Sequence, residues 1–582
     1  VNLEAEALGL PRSFPQLGPE CVLGIELSSY AAELARISVW ISEIQWMRRN
    51  GFEAAKNPIL RTLNTIENRD AVLNTDGTKA EWPTADVVIG NPPFLGNKKM
   101  ISELGEEYIF TLRKAYAGTP GGVDLVAYWF VKAWEQMSSQ KLEKAGFVCT
   151  NSIRGGVNRD VLKPIVDLGR IFEAWSDETW TVDGASVRVS LVSFDCAAGS
   201  RPKLDGVVVK KIHSDLTAHS GQTDITQSLE LEENRNRSFI GRQKDGPLDV
   251  QGDLAREMVS ASGNPHGRSN AEIIRPWRNG MDLTRRPSDR WLIDFMDFEE
   301  REASLFEAPF EYARKVLKPI RAKNRDPKRR TYWWRPGRTG IDLRAGLSGL
   351  SKYIISPRVS KHRLFVWVDA SINPDSATVA IARDDDTSFG ILHSSFHEIW
   401  SLRMGTFLGV GNDPRYTPST TFETFPFPEG LTPNIPAADY TGDQRAVKIA
   451  VAAASLNKLR ENWLNPDDLV DRIPEVVPGY PDRILPKDEA AAKELKKRIL
   501  TNLYNARPRW LEHAHEALDE AVAEAYGWGA DWRAGLLTED EILARLFDLN
   551  QTRAKAEAKA AKVVKTKVAK AKAKSKGKKN GK

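Results

Sequence analysis

The sequence predicts an α/β protein. A doubly wound, largely parallel sheet fills residues 1–200, a mixed α/β region follows, and the C-terminal part is helical. Three observations carry this reading. Short apolar runs at Cys21–Glu26, Val87–Ile89, Gly146–Thr150 and Val187–Phe194 alternate with Ala31–Arg48 and Leu125–Trp134, where apolar residues recur at three and four. Strand–helix alternation of this kind marks helices crossing over a parallel sheet. From about 240 to 430, Trp, Arg and Gly become frequent, with short strands at Tyr353–Pro357 and Leu364–Val368 and helical periodicity only at Phe396–Met404. From 431 the helical pattern returns in Ala446–Trp463 and Asp488–Ala506.

The divisions that follow are 1–200, a polar connector at 201–240, 241–430, 431–552, and a basic tail at 553–582. A chain of 582 residues is long enough for several cores. No run approaches the roughly 18 apolar residues that span a bilayer. The N-terminus lacks an export signal. Cys21, Cys149 and Cys196 are far apart, which argues against a zinc site or a disulfide scaffold and suits a cytoplasmic protein.

Charge is unevenly placed. The overall +5 conceals a tail, Arg553–Lys582, with 13 basic residues and one acid, Glu557. Without it, 70 basic and 77 acidic residues remain, a net of −7. The tail alternates Lys with small residues and has no aromatics, so it reads as disordered: either a non-specific polyanion arm or a solvated low-complexity end.

The stretch with chemical content is Asp86-Val-Val-Ile-Gly-Asn-Pro-Pro-Phe94. An apolar strand ends in Gly90, and ligands of such sheets bind beyond the carboxyl ends of the strands. Pro92 and Pro93 lock φ and remove two N–H donors. The turn therefore displays acceptors, the Asn91 side-chain oxygen and the Pro92 carbonyl. Two acceptors at fixed spacing suit an exocyclic NH2 group, pulling its nitrogen toward tetrahedral geometry and freeing the lone pair. Phe94 offers a face for a planar ring. A plain strand-to-loop turn is the alternative. Glu26 ends a second short strand, where an acid can bind both ribose hydroxyls or simply favour a helix N-terminus. Asp70, in Asn68-Arg-Asp-Ala-Val72, is a candidate acceptor for an adenine amino group, or a turn acid.

The order Gly24-Ile-Glu-Leu27, Asn68-Arg-Asp-Ala71, Asn91-Pro-Pro-Phe94, Asp124-Leu-Val-Ala-Tyr-Trp-Phe130 and Gly146-Phe-Val-Cys-Thr-Asn-Ser152 resembles the S-adenosylmethionine-dependent DNA adenine-N6 methyltransferases. It is most similar to the large single-chain bacterial members linked to restriction-modification and phage defence. Tyr416–Pro428 and Tyr504–Leu511 are similar to that family too, so the resemblance covers about 1–550. It implies a Rossmann-like methyltransferase sheet and S-adenosylmethionine as cofactor. Glu26 would hold the ribose and Asp70 the cofactor adenine. Asn91 and Pro92 would grip the target amine, and Phe94 would stack on a base flipped out of duplex DNA. Asp124 and Phe130 would line the pocket. The family's Gly-rich cofactor loop has no counterpart upstream of Cys21, and the first residue is Val. The expectation is thus a sheet incomplete at its N-terminus, with a separate polypeptide as the possible source of the missing motif and no argument for a nuclease.

Between Arg314 and Arg344 lie 12 basic residues and two acids, with Tyr332, Trp333 and Trp334 interleaved. This segment matches the position of the family's target-recognition domain. Arg329, Arg330, Trp333, Arg335, Arg358 and Lys361 are the candidate DNA contacts, against a solvated basic face. His393 and His397, four apart, lack a third ligand and read as a histidine pair rather than a metal site. The sequence thus points to an adenine-N6 DNA methyltransferase acting on double-stranded DNA. Its rivals are a non-catalytic DNA-binding remnant or subunit, and a protein-glutamine methyltransferase. The same turn serves that last class, which lacks a large basic region.

Overall fold

In the computed structural model, the run at Cys21–Glu26 narrows to a three-residue strand, β1 (Gly24–Glu26), because Pro19 opens a 3-10 turn over Pro19–Cys21. The structure describes residues 7–9, 18–52, 63–182, 185–197, 199, 201–218, 225–261, 263–408 and 413–577. Most of the stretch upstream of Cys21, where the Gly-rich loop was sought, lies outside them, as do residues 578–582 of the tail. β1 pairs in parallel with β2 (Ile66–Asn68), Gly24 opposite Ile66. A Cβ on Gly24 would approach Ile66 Cδ1 to 2.8 Å, so a larger residue here would have to turn the end of the Ile66 side chain aside. Between the two strands runs α1 (Ser29–Arg49). Ser28 caps it by accepting the Ala31 N–H at 3.3 Å, and Arg48 and Arg49 complement its C-terminal dipole.

β3 (Ala85–Gly90) pairs in parallel with β4 (Leu142–Thr150). The crossover contains α2 (Asn97–Leu104), α3 (Glu106–Ala115) and α4 (Ala127–Ser138). Beyond β4 the expectation of a parallel sheet is corrected. β5 (Arg170–Val182) and β6 (Ala185–Asp195) form a hairpin, and β6 inserts antiparallel between β4 and β5. Two residues separate these strands, whereas a parallel crossover needs about a dozen or more. With β7 (Lys203–Leu204) and β8 (Val207–Val208), the mixed sheet has the order β3-β4-β6-β5-β7-β8. β1 and β2 form a sheet of their own, so among the described residues β3 is an edge strand. Phe130, Phe147 and Phe194 pack beneath the sheet, with ring centroids 5.2 to 6.2 Å apart.

The chain divides into two compact units, 1–218 and 219–582, where the sequence suggested five segments. The second unit holds two four-stranded sheets. One pairs Asp249–Gln251, Arg290–Ile293, Ile274–Arg278 and Asn373–Pro374, and the other Val366–Asp369, Lys352–Pro357, Thr378–Ile381 and Ser238–Ile240. Residues 431–552 share one core with 354–427: Ile449 and Leu456 from α5 (Gln444–Leu464) and Leu518 and Val522 from α6 (Arg509–Ala525) pack with Phe389, Phe396 and Trp400. The expected single helix Asp488–Ala506 is split into Glu489–Leu495 and Leu500–Ala506.

The expectation of an irregular tail is also corrected. A helix, α7 (Glu539–Gly577), runs on through the Lys/Ala segment, whose residues are strong helix formers. Its basic stretch begins anchored: Arg553 donates to Glu233 Oε1 and to the Phe427 carbonyl, both at 2.7 Å, and Glu557 accepts the Glu232 N–H at 3.0 Å. Among the described residues no helix is long and apolar enough to cross a membrane.

Candidate active site

The Asn-Pro-Pro-Phe turn leaves the carboxyl end of β3. Asn91 is exposed, Pro92 buried, Pro93 exposed and Phe94 half-buried. The Asn91 side chain makes no hydrogen bond among the described residues, so its oxygen and amide face outward unspent. The chain after the turn is held from behind. The Leu125 N–H donates to the Leu95 carbonyl at 2.9 Å, and the Asn97 N–H donates to Asp124 Oδ1 at 3.1 Å. Asp124 is itself clamped. Its Oδ2 accepts from Ser152 Oγ and Asn158 Nδ2, both at 2.8 Å, and its own N–H donates to Asn158 Oδ1 at 2.8 Å. Asn158 was not legible as a site residue, because nothing in its local sequence says that it meets Asp124.

Asp124 therefore braces the chain just behind the turn. Phe130, expected to line the pocket, is 0 % exposed and packs edge-on against Phe147, so it belongs to the core. It sits six residues after Asp124 on the face of α4 turned toward the sheet.

Glu26 and Asp70 lie at the carboxyl ends of the paired strands β1 and β2, Glu26 opposite Asn68. Glu26 Oε1 accepts the Ser28 N–H at 2.9 Å, so one carboxylate oxygen covers an orphan donor at the start of α1. Asn68 Nδ2 bonds the carbonyls of Glu26 and Leu27, both at 2.9 Å, stapling the two strand ends together. Asp70 Oδ1 accepts the N–H groups of Val72 at 2.8 Å and Leu73 at 3.2 Å, while Oδ2 accepts the Tyr108 hydroxyl at 2.7 Å. A carboxylate has about four lone-pair sites, so both half-exposed acids retain acceptor capacity after these structural bonds. That fits a ribose diol at Glu26 and an amino group at Asp70. Cys149 is fully buried, and burial pushes its thiol up. Among the described residues no cluster of His, Cys, Asp or Glu could hold a metal.

The basic region of the second unit differs from its expected form. Trp333 is 4 % exposed; its indole donates to Glu300 Oε1 at 3.1 Å, and its ring packs on Phe310, so it is a core anchor rather than a stacking surface. Arg329 is ion-paired with Asp245 and Asp326. Arg335 pairs with Glu299 at 2.9 Å and lies over the Tyr332 ring at 4.4 Å. Arg358 is half-buried and donates to the Ser376 carbonyl at 3.0 Å, and burial lowers its pKa. Arg330 and Lys361 are exposed; their polar ends donate to the Asn324 carbonyl and to Asn505 Oδ1, each at 2.7 Å. Arg325, Lys328 and Arg338 were not singled out from the sequence, yet they are exposed and carry no ion pair among the described residues. His393 and His397 are buried and bonded, to the Phe365 carbonyl at 2.7 Å and the Tyr416 hydroxyl at 2.9 Å.

Comparison with known proteins bears on the first unit most directly. Residues 13–204 match the family model of the MmeI DNA-methyltransferase domain. Over 163 residues the chain is 29% identical to DNA methyltransferase A of Bacillus subtilis strain 168, a match covering 27% of this chain and 18% of that protein. The chain thus spans less than a fifth of that relative's length. Its fold is similar to that of the Type IIL restriction-modification enzyme MmeI solved in complex with DNA, with a TM-score of 0.66 and 20% identity over 95% of this chain and 70% of that one. The segment that presents the Asn91 turn, residues 13–204, is thus similar in sequence to a DNA-methyltransferase domain.

Proposed function

We propose that this chain methylates adenine N6 at specific sites in double-stranded DNA, with S-adenosylmethionine as donor, within a restriction-modification or phage-defence system of the cytoplasm. The observation that carries the reading is the exposed, donor-poor Asn91–Phe94 turn at the end of a parallel strand, braced from behind by Asp124. When bound, the cofactor supplies an electrophilic methyl group. Asn91 Oδ1 and the Pro92 carbonyl accept hydrogen bonds from the two N–H groups of the amine and hold the nitrogen lone pair in line. Phe94 offers its ring to the flipped base, whose extrusion costs a few kcal/mol. Glu26 and Asp70 orient the nucleoside end of the donor. No thiolate nucleophile is needed, which agrees with direct transfer and with the buried state of Cys149. Rigid presentation matters because small displacements of reacting groups cost orders of magnitude in rate.

A second reading is a DNA-binding subunit completed by another polypeptide. The outer edge of β3 favours it. Among the described residues β4 is the strand partner of β3, and Val87 and Ile89 are 54% and 83% exposed. Unpaired apolar edges invite strand addition. The test incubates the purified chain with labelled S-adenosylmethionine and adenine-containing duplexes and identifies the methylated base by mass spectrometry. N6-methyladenine is the expected product. Tight DNA binding with neither methyl transfer nor cofactor binding by calorimetry would favour the second reading.

A further inference from the structure

α3 carries three side chains that reach different parts of the site. Tyr108 donates to Asp70 Oδ2 at 2.7 Å. Tyr116, two turns on and at the end of the helix, donates to the Val72 carbonyl at 2.9 Å. Arg113 donates to Asn97 Oδ1 at 2.7 Å, and Asn97 is the residue whose N–H is held by Asp124 behind the catalytic turn. Residues 108, 112 and 116 share one face of the helix, and buried Leu112 seats that face in the core. One rigid element therefore grips both the 70–73 turn and the segment after the Asn91 turn.

The Asp70 carboxylate is bonded only by donors: the N–H groups of Val72 and Leu73 on Oδ1, the phenol on Oδ2. All three occupy acceptor positions and fix its rotation, so what remains for a ligand is acceptor capacity. A carboxylate so held can receive an amino group but repels a carbonyl oxygen. Resting on the cofactor reading above, we propose that Tyr108 is a positioning residue that locks Asp70 as an obligate acceptor, so that the site selects a 6-amino purine over a 6-oxo purine at the nucleoside end of the donor. Without the phenol, Oδ2 loses its fixed donor, the carboxyl group can turn, and selection relaxes.

The test uses the full chain and two probes, S-adenosylhomocysteine and its 6-oxo analogue S-inosylhomocysteine, titrated calorimetrically against wild type, Tyr108→Phe and Tyr116→Phe. Wild type should prefer the adenosyl probe by at least about ten-fold. Loss of one hydrogen bond to a charged group is worth about ten-fold or more. Tyr108→Phe should therefore weaken the adenosyl probe by about that factor, leave the inosyl probe nearly unchanged and compress the preference toward unity. Tyr116→Phe removes a hydroxyl from the same helix without touching Asp70. It should lower the melting temperature yet keep the preference, which separates positioning from loosening of α3. Wild-type binding with an undiminished preference in Tyr108→Phe would overturn the role of Tyr108 and leave the cofactor reading standing. Failure of wild type to bind either probe would overturn both.

Discussion

The Asn91 turn and the basic segment Arg314–Arg344 are opposites in how they spend their polar groups. At the turn, Asn91 is exposed and makes no hydrogen bond among the described residues, while the chain behind it is tied down by Asp124, Ser152 and Asn158. In the basic segment the most conspicuous groups are already committed: Arg329 to Asp245, Arg335 to Glu299, Trp333 to the core. A recognition surface needs unspent groups on a fixed frame. The turn has that arrangement, and the basic segment has it only at residues such as Arg325, Lys328 and Arg338, which the charge run alone does not distinguish from their paired neighbours.

The contrast can be broken most forcefully at Trp333. If it is a core anchor, Trp333→Ala should destabilise the second unit by about 3–5 kcal/mol, measured by urea unfolding. Unchanged stability with weakened DNA binding would make it a contact after all. At the turn, Asn91→Ala should cut methyl transfer by about 10²-fold or more, the scale for losing one preorganised polar contact to a reacting group. Its melting temperature should hold, because an exposed side chain without bonds supports little structure. A destabilised variant with normal turnover would reverse the comparison.

The buried polar groups of the second unit give a pH test. His393 and His397 are pushed well below the usual histidine range and His515 to about 3, each chiefly by burial, so they stay neutral in the folded chain. The unfolded chain binds protons at these positions below about pH 6.5, so stability should fall as pH drops through that value toward 3. Asp519, raised to about 7 by burial, works the other way. It is protonated when folded and ionised when unfolded between about pH 4 and 7, so its contribution is present at low pH and is lost as pH rises toward 7. Asp519→Asn should therefore steepen the acid-side decline. Chemical denaturation at stepped pH measures both, and an unchanged slope would remove Asp519 from the account.

The smallest effects concern phosphates. Arg330→Ala should weaken DNA binding about equally for all sequences and reduce the salt slope by about 1, whereas Arg329→Ala should alter stability more than the slope. Ending the chain after Ala560 removes ten lysines but keeps the Arg553 and Glu557 anchors. Non-specific binding should weaken mainly at low salt, and equal slopes with and without the segment would reject a polyanion arm.

Where the sequence was legible, the signal was local. Strands β3 and β4 and helices α1 and α4 lie within a few residues of the runs that announced them, because apolar period and capping residues act over one or two turns. The antiparallel insertion of β6, the split of 488–506 and the helical course of the tail were not anticipated. The first depends on which strand pairs with which, and the others on how a polar, weakly patterned segment is packed. The same divide separates Asn91 from Asn158: one announces itself through two following prolines, the other matters only because Asp124 lies against it.

The sequence by itself determined the corner at residues 90–94, since two prolines after a glycine restrict the backbone and strip its donors whatever surrounds them. It likewise determined the steep charge step at the tail. Only the tertiary structure decided which charges are spent. An ion pair such as Arg329–Asp245 joins residues 84 positions apart, and a buried ring such as Phe130 is told from a pocket wall only by what packs on its other face. Pairing and burial are properties of neighbours in space, and a linear pattern carries no record of them.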